Sequence, residues 1–286
     1  MNFVIDSPFT PPIAAAAVAA IVCAALLYFA RSAIIGALAA GLVFLASYYE
    51  TYQKIPDFPP AGAANKMFYI AGAVAVVAAA LAWFSPNRLA RAIAALAASL
   101  FAAAWTGASQ FAQADAIWFV TFVAMVLGGG AVLYRLDDIA FSREGAVNSA
   151  ATLAASASTF LLMAPIALFG GSSTSVGLML GASAGLALLS LAALSGPVGA
   201  TKVSILGAGA GLLALADSLT LISRRADLIA VALMAVAPFL TPLGLRLLPA
   251  RPRDRPALIW LASGLAALSP LPVILALLFW RHESPL

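Results

Sequence analysis

PIAAAAVAAIVCAALLYFARSAIIGALAAGLVFLASYY, residues 12–49, runs for 38 residues with a single charge, Arg31. As one helix it would be about 57 Å long at about 1.5 Å per residue, far beyond a hydrocarbon core of about 30 Å. Broken at Arg31 and Ser32, it becomes two runs, 12–30 and 33–49, each close to the length that crosses a bilayer. A tight helical hairpin in lipid is the reading that fits, and the rest of the chain extends it.

Eight further apolar runs follow, at 67–84, 89–109, 116–134, 149–170, 174–195, 200–222, 227–248 and 257–280. Of 286 residues, 64% are apolar and 9% charged, against about 25% charged in soluble chains. Mean hydropathy is +1.04. These values exclude a soluble enzyme, a disulfide scaffold, a disordered chain and a nucleic-acid-binding domain. An outer-membrane barrel would alternate in polarity over about 10 residues at a time, and this chain does not. The expected fold is all-α: a polytopic transmembrane helix bundle of about ten spans, one integral membrane domain over 1–286. A charged link, 135–148, divides it into halves 1–134 and 149–286 with five runs each. An odd number per half would invert one half against the other, as in inverted-repeat transporters. The long loop 50–66 has no counterpart after the seventh run, so a bundle without internal symmetry remains equally open.

Net charge is +4, and its distribution predicts orientation. Alternate loops hold five Lys and Arg on the N-terminal side (Lys54, Lys66, Arg224, Arg225, Arg281) and ten on the other. Loops rich in Lys and Arg stay in the cytoplasm, so both termini are expected in the periplasm of a bacterial inner membrane. Arg224 and Arg225 run against this rule. The residues before Pro12 include no Lys or Arg, so the first run is expected to be a retained anchor rather than a cleaved signal.

Cys23 is the one cysteine and His282 the one histidine. Neither a Cys-based metal site, an intrachain disulfide nor a Ser-His-Asp triad is expected, and no metal or cofactor is assigned. The string Gly207-Ala-Gly209-Ala-Gly211 lies inside an apolar run, not between a strand and a helix, so it is not a nucleotide loop.

Asp217 is the acid set deepest in an apolar run. Inserting such a group costs about 2.5–3.5 kcal/mol or more, which makes it a functional candidate. It would carry a proton or cation, or it would pair with Arg224 or Arg225 two turns on. Ser149, Thr152, Ser156 and Thr159 share a face of the sixth run; they line a polar path or bond to the backbone. Glu50, Asp57 and Asp115, with nearby Tyr48, Tyr49, Tyr52, Trp105 and Trp118, form either a vestibule for a cationic solute or an aromatic belt.

Gly177, Gly181 and Gly185 fall on one face of the seventh run, and Gly207 and Gly211 repeat the device in the eighth. Stripes without side chains let helices approach closely, either as a rocking interface or as static packing. Pro238 with Pro242, and Pro270 with Pro272, interrupt the last two runs, and each proline removes a backbone donor. Arg246, Arg251, Arg253 and Arg255 form a basic cluster that meets lipid headgroups.

In length and number of runs the chain resembles the drug/metabolite transporter superfamily, which implies five-plus-five repeats and transport of small solutes; no functional residue carries over. Its abundant Ala, and Arg (12) over Lys (3), resemble proteins of GC-rich bacteria. The expected function is a secondary transporter of a small solute, not an enzyme. The alternative is a non-transporting scaffold or assembly subunit, alone as a homo-oligomer or with a membrane partner. Lipid is the expected surrounding in both cases.

Overall fold

The computed structural model describes residues 7–84, 87–141, 146–194, 198, 201–247 and 256–283. Among them all regular structure is helical. The helices are α1 (Thr10–Ala30), α2 (Ala33–Tyr52), α3 (Ala63–Phe84), α4 (Arg88–Gly107), α5 (Ala116–Phe141), α6 (Ala146–Phe169), α7 (Ser173–Ala192), α8 (Leu206–Asp217), α9 (Leu228–Leu247), α10 (Pro256–Leu268) and α11 (Leu271–Glu283). A 3₁₀ turn, Ala108–Gln113, follows α4, and a π turn, Ser218–Ile222, follows α8.

The opening hairpin forms where the sequence breaks. Arg31 takes a left-handed conformation (φ 46°) and its N–H caps Leu27; Ser32 is extended and starts α2. Cys23 then lies against the Ala39 carbonyl, symmetrically about the turn. Polar caps set other starts: Asn87 accepts from Ala90 N–H at 2.8 Å, and Asp227 from Ile229 and Ala230 at 2.8 and 3.2 Å. These bonds satisfy donors that a helix N-terminus leaves open.

Among the described residues, eight helical segments are long and apolar enough to cross a membrane, with α10 and α11 counted as one. The other two apolar segments, Leu206–Ile222 and Leu228–Gly244, are shorter. Large apolar side chains cover the outside: Phe29, Phe84, Ile117 and Val120 are each at least 70% exposed. Water does not tolerate such a surface over a whole protein, whereas lipid does.

α8 is the centre. Every residue from Leu206 to Asp217 is buried, with α3, α4 and α2 packed around it. α6 is the second hub, carrying α7, α10, α9 and α5, while α7 holds α1. Connections collect at two ends. Residues 53–62, 108–115, 170–172 and 223–227 share one end, tied by Lys66 to the Trp105 carbonyl (2.8 Å), Arg224 to Asp115 (3.7 Å) and Arg281 to Asp227 (2.6 Å). Arg31, Arg91, Asp137 and Lys202 lie at the other.

Several expected boundaries change. The loop 50–66 contracts to 53–62, because α2 continues to Tyr52 and α3 starts at Ala63. The link 135–148 is helical over 135–141, since Leu136 and Ile139 continue the buried face of α5; residues 142–145 lie outside the described residues. The eighth run is not one regular helix, because residues 201–205 are non-helical. The last run is two helices, broken at Ser269 and Pro270. Pro238 and Pro242, by contrast, sit inside a continuous α9. Arg251, Arg253 and Arg255 lie outside the described residues.

Candidate functional site

α8 reads LGAGAGLLALAD, and its glycines are places of contact. A Cβ at Gly207 would lie 2.7 Å from the Ala75 Cβ on α3; one at Gly211 would lie 2.5 Å from the Phe44 ring on α2; one at Gly209 would overlap Leu133 on α5. Three helices therefore close on α8 from three directions. The α7 stripe serves a different seam. Gly181 and Gly185 face α1, where added Cβ atoms would lie 2.8 Å from the Pro12 and Ala16 carbonyl oxygens, while Gly177 has ordinary room against Phe9 at 3.5 Å.

Each end of α8 is irregular, and each has an acid. Before it, Thr201, Val203, Ser204 and Ile205 are buried non-helical backbone. Such backbone persists at membrane depth only inside protein or against a cavity. Ser204 Oγ accepts from Leu206 N–H (3.3 Å) and donates to Asp137 Oδ1 (3.0 Å). Asp137 Oδ2 lies 3.8 Å from Arg91 Nη1, with side-chain exposures of 3% and 8%. A buried ion pair thus joins α4 and α5 beside the positive end of α8. Sequence reasoning missed it, assigning Asp137 to a link and Arg91 to topology. The signal was available: Leu133, Leu136, Asp137 and Ala140 keep the i, i+3, i+4, i+7 spacing past Tyr134.

At the far end, Asp217 is 2% exposed. Among the described residues its carboxyl group has no hydrogen-bond or ion-pair partner. The π turn follows at once: Ser223 N–H reaches the Ser218 carbonyl at 3.0 Å, and Thr220 Oγ1 donates to the Ala216 carbonyl at 2.8 Å. Trp118 Nε1 donates to the Leu221 carbonyl at 3.1 Å, holding the turn to α5.

The expected pairing of Asp217 with Arg224 or Arg225 is not made. A π turn adds a residue to the helical period, so the two-turn spacing fails, and Arg224 at φ 52° turns the chain away. Arg224 pairs with Asp115 instead. α2 and α8 run side by side in the same direction, with Gly41 and Gly207 both against Ala75. Tyr48 therefore shares the depth of Leu215 to Asp217. Among the described residues the buried hydroxyls of Tyr48 and Thr106 have no hydrogen-bond partners.

The other candidates disperse. Ser156 and Thr159 are fully buried, and each donates at 2.8 Å to a carbonyl of its own helix, Thr152 and Ala155. Of their face, Ser149 donates to the Thr201 carbonyl at 2.9 Å, while Thr152 Oγ1 has no hydrogen-bond partner among the described residues. Glu50 ends α2 and holds the Gln53 amide at 2.8 Å. Asp115 caps α5 through Trp118 N–H at 2.7 Å, so it braces the residue that holds the π turn. Among the described residues no group of three or more His, Cys, Asp or Glu gathers as a metal site would require. Comparison of the chain with protein-family models, curated proteins and solved structures finds no match.

Proposed function

We propose that this chain is a secondary transporter of a small solute in a bacterial inner membrane, with Asp217 carrying the coupling proton or cation. One observation carries the reading: at the junction of a central helix and a π turn, the Asp217 side chain is 2% exposed and, among the described residues, has no hydrogen bond or ion pair. Such a group destabilises the resting protein, and a role in a working cycle is one reason for a chain to keep it. π turns inside helices recur at functional sites, and a discontinuous central helix is how many transporters build an ion site near the midplane. The two irregular ends of α8 support this reading further. In the same proposal, the end with ten Lys and Arg faces the cytoplasm, and the halves 1–134 and 149–286 move against each other.

The test is reconstitution of the full chain into proteoliposomes with a trapped pH dye and an applied pH gradient, challenged with a panel of small solutes. Solute-dependent proton movement by the wild type, absent in Asp217→Asn at equal insertion, supports the reading. Equal flux in both proteins removes Asp217 from the mechanism. The second reading, a non-transporting scaffold or assembly subunit, draws on the α1–α7 seam, where Gly181 and Gly185 leave no room for a Cβ. A stoichiometric partner co-purifying in mild detergent, with no flux, would favour it.

A further inference from the structure

Arg224 and Arg225 depart from the charge rule that orients the rest of the chain, and the structure separates them. Arg224 turns to Asp115 on α5 at 3.7 Å. Arg225 goes the other way, beside Gly171 at the end of α6, into a cavity of about 230 Å³ between α6, the start of α9 and α11. Arg281 enters the same cavity and binds Asp227 Oδ2 at 2.6 Å. The other oxygen of Asp227 is occupied in capping α9 at Ile229 and Ala230. Among the described residues the Arg225 guanidinium has neither ion pair nor hydrogen bond. Two arginines against one aspartate leave the cavity with one positive charge. Its remaining wall is apolar, from Ile166, Phe169 and Leu278.

We infer that this cavity is a binding site for a monoanionic amphiphile of phosphate-diester type, its anionic group between Arg225 and Arg281 and its first carbons against Ile166 and Leu278. The volume equals about eight waters at about 30 Å³ each, which admits a phosphate and a few carbons but not a nucleotide. Arginine presents several donors to phosphate oxygens in a fixed planar fork. Arg225 supplies the free fork, and Arg281 is held in place by Asp227. The site stands apart from Asp217 and does not depend on the transport reading. A membrane lipid headgroup and a free phosphate ester offer the same chemistry.

The test uses the purified full chain and two probes: nanodiscs of phosphatidylcholine with and without phosphatidylglycerol, and inorganic phosphate in detergent. Bound lipid is read by native mass spectrometry and the unfolding midpoint by thermal shift. Arg225→Gln is expected to weaken anion binding at least about tenfold, the effect of losing one charge-assisted hydrogen bond. Arg224→Gln leaves it unchanged. Asp227→Asn, which keeps the capping oxygen and frees Arg281, is expected to tighten it several-fold, a gain that misfolding would not produce. A response to phosphatidylglycerol alone supports the inference, and an equal response to phosphate, which has no carbons to set against Ile166 and Leu278, overturns it. Wild-type binding by Arg225→Gln, weaker binding by Asp227→Asn, or no response to either probe overturns it.

Discussion

Trp118 donates its indole N–H to the carbonyl of Leu221 across 3.1 Å, so the first turn of α5 holds the π turn that ends α8. In a regular α-helix the Leu221 carbonyl would find a partner one turn later in the chain. Here the chain turns away after Ser223, and an indole from another helix takes that place. Trp118→Phe keeps an aromatic ring beside Phe122 and removes the donor together with the part of the indole that packs near Gly107. It is expected to lower stability by about 1–3 kcal/mol, the cost of a buried carbonyl left without a partner. Thermal unfolding in detergent measures this, and an unchanged midpoint would show that the π turn stands without the indole.

Asp217 should destabilise the fold that contains it. Asp217→Leu exchanges an unpartnered buried carboxyl for an apolar side chain in an apolar setting, so its unfolding midpoint is expected to rise above wild type. A lowered midpoint would mean that the carboxylate has a structural partner and is not held in reserve.

The glycines separate into tight and open positions. Gly181→Ala and Gly185→Ala are expected to destabilise by about 1–3 kcal/mol, because α1 backbone and the α2 side chains Ser47 and Val43 stand where the methyl must go. Gly128, with nothing within 4 Å of an added Cβ, should accept alanine with a gain of about 0.5–1 kcal/mol from helix propensity. Equal effects at the three sites would contradict the α1–α7 seam.

At the opposite end of α8, the Arg91–Asp137 pair predicts non-additivity. Removing one charge leaves the other buried, so Arg91→Met alone should cost about 3–5 kcal/mol, and the double variant with Asp137→Leu less than the sum of the single variants. A double-variant cycle of unfolding midpoints reads this directly. Additive losses would show that the two side chains act independently.

Topology has a direct check, because Cys23 is buried and is the only cysteine. On a Cys23→Ala background, single cysteines at Asp57 and Lys202, both exposed, are expected to react with an impermeant maleimide from opposite faces of a sealed vesicle. Labelling of both from one face would contradict the placement of these two residues at opposite ends of the bundle.

The sequence by itself determined the helical membrane class, the Arg31–Ser32 hairpin and the glycine stripes. Each is written in local terms that need no partner: hydrophobic length, a lone charge between two runs, and a spacing of four residues. It also marked Asp217, because an acid in an apolar run stands out without any structure. Tertiary structure alone decided which partners the polar groups take. Arg224 belongs to Asp115, Arg91 to Asp137, and Ser156 and Thr159 to their own helix. Those outcomes turn on a π turn, a left-handed residue at Arg224 and the meeting of distant helices. Sequence spacing offered the buried position of Asp137 and the own-helix bonds of Ser156 and Thr159 as options but could not choose among partners, since that choice depends on how several helices pack.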